Sequence, residues 1–132
     1  MTLREVLHAH IPTLVESSTV RDAVDKMDIY QFPALVVVNI DRKPVAVVTE
    51  GDIVRAVSLG ENLASLADEP AHMLGTPDPT CLPADTEISE AFHRMRMSGL
   101  TILPVLDEDT LAGVVLRVDL MQAMLTDMAE KL

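Results

Sequence analysis

The sequence predicts a mixed α/β (α+β) fold made of two β-α-β-β-α repeats, related by a pseudo-twofold axis and packed sheet to sheet. The first observation is a duplicated stretch: a short aliphatic run at residues 46–48, and again at 113–115, ends abruptly before a helical pattern that carries an aspartate. These aspartates are Asp52 and Asp119, and subtracting 52 from 119 gives a repeat offset of 67 residues. The second observation is size, because a unit of roughly 50 residues buries too little apolar surface to fold alone.

The composition fits one globular module and argues against several classes of function. The chain has 132 residues, of which 48% are hydrophobic and 23% charged, as in ordinary globular proteins. A formal net charge of −11 would repel nucleic acids and anionic membrane surfaces, and 2% aromatic residues offer little for stacking on single strands. We therefore expect neither a nucleic acid nor a membrane as a partner. The single Cys81, the charged N-terminus and the lack of an apolar run of roughly 18 residues favour a cytoplasmic protein.

The first half predicts strand, helix, strand, strand and helix in that order. An N-terminal helical lead-in segment is expected over residues 1–11, ending before Pro12 because the residue preceding a proline is pushed out of the helical region. The first repeat then covers residues 12–60. Its predicted elements are a brief strand at 13–15, a helix opened by the capping pair Thr19 and Asp22, a strand covered on both faces at 34–38, its hairpin partner at 45–48, and a helix that begins near Asp52 and stops before Gly60.

The second half repeats this order after a connection. Residues 61–78 match nothing in either half and are interpreted as a linker with one or two helical turns around 63–66. The second repeat covers residues 79–128, and residues 129–132 form a C-terminal tail. Its predicted elements are a brief strand at 80–82, a helix that stops at Gly99, a buried strand at 101–106, its partner at 111–116, and a last helix from about Val118 toward Met128.

Both halves carry an aliphatic strand, a turn, and then Val-Val-Thr-x-x-Asp or Val-Val-Leu-x-x-Asp. The aliphatic strands are Leu35-Val36-Val37-Val38 and Leu103-Pro104-Val105-Leu106. This duplication in register resembles a tandem pair of cystathionine-β-synthase (CBS) domains, also called a Bateman module, over roughly residues 10–128. The resemblance implies a regulatory module that binds an adenosine-containing ligand, such as AMP, ADP, ATP or S-adenosylmethionine, in clefts between the repeats. It also implies a homodimer formed through helices.

The resemblance further implies which residues would contact that ligand. In the family, the aspartate after the third strand binds ribose hydroxyls, and the threonine three positions before it lies near the ribose or phosphate. This assigns Asp52 and Thr49 in the first copy. In the second copy Asp119 matches, whereas Leu116 replaces the hydroxyl. The residues that would surround the adenine are Thr13, Val15, Pro33, Ala34, Leu35, Leu82, Leu103 and Pro104.

The chemistry of these residue types favours the first copy as the better site. A carboxylate can accept hydrogen bonds from two vicinal hydroxyls, and a helix N-terminus supplies backbone donors to a phosphate. Arg55 and Arg117 are near enough in sequence to meet a phosphate, but the basic pair that often precedes the second strand in phosphate-binding members is missing. This favours a ligand with little negative charge, such as adenosine or S-adenosylmethionine. Thr49 and Asp52 also match a capping box, so a purely structural role for both stays open.

We expect no catalysis, cofactor or metal, because the sequence shows no nucleophile constellation, Walker loop, dinucleotide fingerprint or metal-ligand pattern. His8 and His10 would point in different directions on a helix, so the sequence names no partner for either. The leading hypothesis is a regulatory module that passes its ligand-bound state to a partner protein. The alternative is a ligand-free scaffold that dimerises and holds other proteins, with Thr49 and Asp52 serving only as helix caps.

Overall fold

The computed structural model describes residues 1–60 and 62–131, which form two small sheets and five α-helices. Glu61, at the start of the predicted linker, and Leu132, at the end of the predicted tail, lie outside the described residues. The chain divides into a first unit, Pro12–Pro79, and a second unit that combines Met1–Ile11 with Thr80–Leu132. Within the described part of the chain, no helix has both the length and the hydrophobicity needed to cross a bilayer.

The first unit is built on a four-stranded sheet in the order β1-β2-β3-β4. Its elements are β1 (Thr13–Leu14), α1 (Val20–Tyr30), β2 (Ala34–Val38), β3 (Pro44–Thr49), α2 (Glu50–Ser58), α3 (Leu63–Leu66), a 3₁₀ helix (Ala71–Leu74) and β4 (Thr76–Pro77). β1 runs parallel to β2, and β2 forms an antiparallel hairpin with β3. Every residue of β2 is buried, as its continuous apolar sequence predicts.

The second unit repeats this pairing in a three-stranded sheet in the order β5-β6-β7. Its elements are a 3₁₀ helix (Leu3–Glu5), β5 (Leu82–Pro83), α4 (Ile88–Ser98), β6 (Ile102–Asp107), β7 (Thr110–Leu116) and α5 (Arg117–Lys131). β5 is parallel to β6, and β6 is antiparallel to β7. The predicted β-α-β-β-α order is therefore confirmed in both units, although α5 continues to Lys131, beyond the predicted end near Met128.

Two helix ends coincide with capping signals in the sequence, the start of α1 and the end of α4. The Thr19 hydroxyl accepts a hydrogen bond from the backbone N–H of Asp22 at 3.2 Å, and the Asp22 carboxylate accepts one from the backbone N–H of Thr19 at 2.9 Å. This capping box begins α1 where predicted. Helix α4 ends at Gly99, whose φ of 68° is a left-handed conformation that glycine adopts without strain.

The segments that precede the two repeats are also duplicated. Each unit gains a 3₁₀ helix and a short extended segment beside its hairpin: Leu3–Glu5 with His8 in the second unit, and Ala71–Leu74 with β4 in the first. The backbone bridges that hold these segments are Thr2 to Glu87, His8 to Val114, Pro70 to Thr19, and Thr76 to Val47. The interpretation that residues 61–78 match nothing in either half is therefore wrong for the part from residue 70 to residue 77.

The N-terminal helix is shorter than predicted because the residues that follow it pair with strand β7. The backbone N–H of His8 donates to the Val114 carbonyl at 2.8 Å, and the Val114 N–H donates back to the His8 carbonyl at 3.1 Å. These bonds keep His8 extended, so the helix is limited to Leu3–Glu5. A glycine permits the close approach, since a Cβ on Gly113 would collide with the His8 carbonyl oxygen. Gly75 plays the same part against the Val47 carbonyl in the first unit.

Each unit has its own aliphatic core. Leu14, Leu35 and Val48 are buried between the sheet and helices of the first unit. In the second unit, Leu103 and Leu120 pack with Leu3, which is fully buried. The N-terminal segment therefore contributes to the core of the second unit.

An ion pair also ties the N-terminal segment to the second unit. The Arg4 guanidinium donates to Asp107 at 2.9 Å and to Asp85 at 3.1 Å. The hydrogen bond from Arg4 and its charge hold the pKa of Asp107 below its ordinary value. A carboxyl whose pKa is depressed in the folded state stabilises the fold above its unfolded value, about 3.9 for Asp, and that stabilisation is lost as pH falls through the folded pKa.

We expect the Arg4→Gln variant to unfold at lower urea concentration than the wild type near neutral pH, and the difference to shrink as pH falls below about 4, because Asp107 of the unfolded chain then binds a proton before Asp107 of the folded wild type does. Urea unfolding followed by circular dichroism from about pH 7 to about pH 3 measures this. Arg94→Gln is the control, since Arg94 forms no ion pair within the described residues. An Arg4→Gln deficit that is the same at every pH would contradict the assignment.

Candidate functional site

The strongest candidate site lies where β3 ends and α2 begins. The Thr49 hydroxyl accepts a hydrogen bond from the backbone N–H of Asp52 at 3.0 Å, and Asp52 Oδ2 accepts one from the backbone N–H of Thr49 at 2.8 Å. The capping box that the sequence predicts is therefore present. An ionised carboxylate has about four acceptor positions, so the cap leaves capacity on Asp52 for further donors.

Burial makes the Asp52 carboxylate unusual among the acids of the chain. Its side chain is only 10% exposed, and Asp52 is the buried charged residue of the described chain. Oδ1 accepts a hydrogen bond from Arg55 Nη1 at 3.2 Å, whereas the Arg55 side chain is 68% exposed. A buried carboxylate is tolerated when its oxygens are hydrogen-bonded, as they are here. The guanidinium of Arg55 keeps further N–H donors that an anion beside Asp52 could use.

The sheet places most of the other first-repeat candidates on strands adjoining this junction. Ala34 lies opposite Thr49 in the β2–β3 ladder, and the backbone N–H of Glu50 donates to the Pro33 carbonyl at 2.9 Å. Thr13 on β1 lies on the other side of β2. Val15 follows β1 and is 49% exposed.

The alternation of side chains along β2 separates two of the predicted adenine contacts. Leu35 packs with Val37 in the core of the first unit, among residues of α1 and α2. Ala34 is also buried, but its side chain points to the opposite face of the sheet because neighbouring strand residues alternate. Leu35 is therefore a core residue by its side chain, and Ala34 is the β2 side chain on the other face next to Thr49.

The second copy keeps the backbone geometry and changes the side chains. Asp119 Oδ2 accepts a hydrogen bond from the backbone N–H of Leu116 at 2.7 Å, which is half of a capping box because Leu116 has no hydroxyl. The same oxygen lies 2.9 Å from His8 Nε2. The Asp119 side chain is 19% exposed and that of His8 is 44% exposed. Asp119 thus has a histidine partner, where Asp52 has Arg55.

The remaining second-repeat candidates are buried. Leu82 and Leu103 belong to the core of the second unit. Pro104 lies opposite Val114 in the β6–β7 ladder. The structure therefore places all three within the β5-β6-β7 sheet, whose last strand ends at Leu116, directly before the helix that carries Asp119.

His8 is the residue at these junctions that sequence reasoning missed. It lies 111 residues from Asp119 in the sequence. The helix predicted over residues 1–11 gave no indication that the His8 side chain would meet Asp119. The contact follows from the extended backbone that joins His8 to β7. The signal that could have revealed it is the duplication of the segment before each repeat.

Two further chemical properties bear on catalysis. Within residues 1–60 and 62–131, no group of three or more His, Cys, Asp or Glu is arranged to hold a metal ion. Burial raises the pKa of the Cys81 thiol, which lowers its thiolate fraction at neutral pH and makes it a weaker nucleophile. At the β3–α2 junction itself, the groups that the structure brings together are the Thr49 hydroxyl, the Asp52 carboxylate and the Arg55 guanidinium.

Comparison with known families and curated proteins gives a consistent pattern. The model of the CBS domain family matches residues 3–59 and again residues 72–126. The chain is 26% identical, over all 132 residues, to the A-adding tRNA nucleotidyltransferase of Aquifex aeolicus (strain VF5), of which it spans 15%. It is 31% identical over 108 residues to an uncharacterized 17.7 kDa protein in the bps2 3' region of Acidianus ambivalens, an alignment that covers 81% of this chain and 63% of that protein. The chain thus spans less than two thirds of either relative.

Solved structures share the fold. The crystal structure of CBSX2 in complex with AMP has a TM-score of 0.81 and 21% identity, covering 96% of this chain and 98% of that one. The CBS-domain containing protein ATU1752 from Agrobacterium tumefaciens has a TM-score of 0.83 and 20% identity, covering 94% and 99%. At these identities the likeness establishes the fold.

We expect Thr49→Val to lower the free energy of unfolding by about 1 kcal/mol, because valine keeps the shape of threonine and removes the hydroxyl that caps α2. Urea unfolding at neutral pH measures the change. Thr2→Val is the matched control, since the Thr2 side chain makes no capping hydrogen bond; its effect should stay within about 0.5 kcal/mol. Equal effects of the two substitutions would show that the Thr49 hydroxyl contributes nothing specific.

Proposed function

This chain belongs to the CBS-domain family, and from that premise we propose that it is a regulatory module that binds an adenosine-containing ligand at the β3–α2 junction. The candidates are AMP, ADP, ATP and S-adenosylmethionine. Asp52 would accept hydrogen bonds from the ribose hydroxyls, and Thr49 would lie beside the ribose or phosphate. Thr13, Val15, Pro33 and Ala34 would surround the base, and Leu35, whose side chain lies in the core, would contribute only backbone groups.

The observation that carries this proposal is the buried Asp52 carboxylate at the start of a helix. Its oxygens are held in place by the Thr49 N–H and by Arg55, so the group is positioned before any ligand arrives. A fixed carboxylate with unused acceptor positions suits two neighbouring hydroxyls, and hydrogen bonds to a charged acceptor are stronger than neutral ones. A ribose offers that pair of hydroxyls.

The charge around the junction favours a ligand with few phosphates. Arg55 is the cation that contacts Asp52, and part of its charge is used in that ion pair. The whole chain carries a formal net charge of −11, which opposes a highly charged anion. A monophosphate could use Arg55 and the N-terminal backbone donors of α2, and the sulfonium of S-adenosylmethionine would suit the acidic chain. The CBSX2 complex with AMP supports a nucleotide of this size.

The second copy, with Asp119, Leu82, Leu103 and Pro104, is the weaker candidate. It lacks the hydroxyl at Leu116, and His8 already contacts the carboxylate oxygen that accepts from the Leu116 N–H. A ribose at Asp119 would have to share that oxygen with His8 or displace it. We therefore assign the first copy as the principal site.

Regulation requires a ligand that binds two arrangements of the protein with different affinity, because a ligand indifferent to both shifts nothing. We propose that ligand binding shifts the chain from one arrangement to the other, and that a partner protein recognises the ligand-bound arrangement. A cytoplasmic location and the absence of catalysis belong to the same proposal. The tRNA nucleotidyltransferase activity of the Aquifex aeolicus relative is not carried over, since the chain spans only 15% of that protein.

One surface favours association and keeps the scaffold alternative open. Helix α5 exposes four large apolar side chains at spacings of three, four and three residues, which is the pattern of a helix–helix seam. They are Val118 (54% exposed), Met121 (46%), Leu125 (65%) and Met128 (63%). We propose that this helix takes part in a homodimer. If no adenosyl ligand binds, the same surface supports a dimerising scaffold.

We expect calorimetric titration to show binding of at least one of AMP, ATP and S-adenosylmethionine with a Kd below about 1 mM, and Asp52→Asn to weaken it at least tenfold, about 1.4 kcal/mol. Asp119→Asn should have a smaller effect, because His8 already engages that carboxylate. Asp41→Asn, in the exposed β2–β3 turn, is the control and should leave the affinity unchanged.

The result also separates the two functions. Failure of all three ligands to bind below about millimolar concentration would reject the sensor and leave the scaffold. In that case Asp52→Asn should affect stability by about 1 kcal/mol and leave self-association intact.

A further inference from the structure

Helices α1 and α2 of the first unit line an open groove with a volume of about 450 Å³. Its lining includes the apolar side chains of Val24, Met27 and Ile53. Two carboxylates also line it, Asp28 from α1 and Glu50 from α2. Both acids are exposed, and within the described part of the chain neither forms an ion pair. The groove is therefore lined by apolar side chains together with two exposed acids.

Helix α4 of the second unit carries an arginine where α1 carries Asp28. The buried Met27 of α1 corresponds to the buried Met95 of α4, and subtracting 27 from 95 gives an offset of 68. The same offset places Arg96 at the position of Asp28. Arg96 is exposed, as Asp28 is.

The second acid is replaced in the same way. Asp52 of α2 corresponds to Asp119 of α5 with the offset of 67, which places Arg117 at the position of Glu50. Both residues are exposed in the first turn of their helices. Two equivalent positions on equivalent helices thus carry acids in one unit and arginines in the other.

The apolar residues beside these charges are exposed in both units. Ile29 is 71% exposed and its counterpart Met97 is 69% exposed. Val54 is 66% exposed and its counterpart Met121 is 46% exposed. Large apolar side chains clustered at a surface and bordered by charges mark sites of protein association. The two pairs of helices therefore share exposed apolar side chains at two equivalent positions and carry opposite charges at two others.

We propose that the α1–α2 groove of one copy docks against the α4–α5 face of a second copy, so that Asp28 and Glu50 meet Arg96 and Arg117. The proposal rests on the homodimer proposed above and adds its orientation, which is head to tail. Each such contact joins the first unit of one copy to the second unit of the other. The like-with-like arrangement would set acids against acids and arginines against arginines, and such pairs repel.

Disulfide trapping between single-cysteine chains tests the orientation. In a Cys81→Ser background, Val54→Cys and Met121→Cys chains that differ in mass are mixed, oxidised mildly and analysed by mass spectrometry. We expect the mixed disulfide between the two variants to exceed either same-position disulfide by about tenfold or more, because head-to-tail docking brings the two different faces together. Sedimentation velocity on the wild type gives the oligomeric state independently.

Charge reversal provides a second measurement that does not depend on cysteine reactivity. Asp28→Lys and Arg96→Glu should each raise the Kd of the homodimer at least tenfold, an equimolar mixture should restore association, and added salt should weaken the wild-type dimer. Same-position disulfides that equal or exceed the mixed one would overturn the orientation and leave the dimer standing. A wild-type monomer would overturn both the orientation and the dimer, whereas ligand titration still judges the sensor separately.

Discussion

A buried carboxylate must have hydrogen-bond donors, and at Asp52 this requirement fixes the local geometry of the first unit. The Thr49 N–H can reach Oδ2 only if the strand ends and the helix begins at Thr49. The adjoining Glu50 N–H then donates to the Pro33 carbonyl, which ties the start of α2 to the start of β2. Ala34 is consequently held opposite Thr49 in the ladder. One capping interaction thus positions the carboxylate, the hydroxyl and the neighbouring strand together.

The two repeats share this geometry and have diverged in chemistry. Asp119 caps α5 as Asp52 caps α2, but its neighbours are Leu116 and His8 in place of a hydroxyl and an arginine. On the helices the two repeats differ in charge, because Asp28 of α1 and Glu50 of α2 are replaced by Arg96 of α4 and Arg117 of α5. A duplicated fold therefore supplies two copies of each feature, and side-chain substitution has made the copies chemically different at the helix starts and on the helix surfaces.

Much of the fold could be predicted because its signals are local and repeated. The capping pairs, the aliphatic run of β2 and the left-handed Gly99 each act within a few residues, and all three appear as expected. The segments at 2–8 and 70–77 escaped prediction because short 3₁₀ turns and two-residue strands carry no hydrophobic period. The His8–Asp119 contact escaped for another reason, since the two residues lie 111 positions apart and meet only because His8 pairs with Val114 of β7. The junction at Asp52 was accessible to sequence reasoning, whereas the partner of Asp119 was not.

The ribose contact at Asp52 is tested most directly by comparing AMP with its 2′,3′-dideoxy analogue, which keeps the base and the phosphate and lacks both hydroxyls. In the wild type we expect the analogue to bind at least tenfold more weakly, because it offers nothing to the carboxylate. In the Asp52→Asn variant the two ligands should bind alike to within about a factor of two or three. Equal affinities in the wild type would contradict the assignment of Asp52 to the ribose.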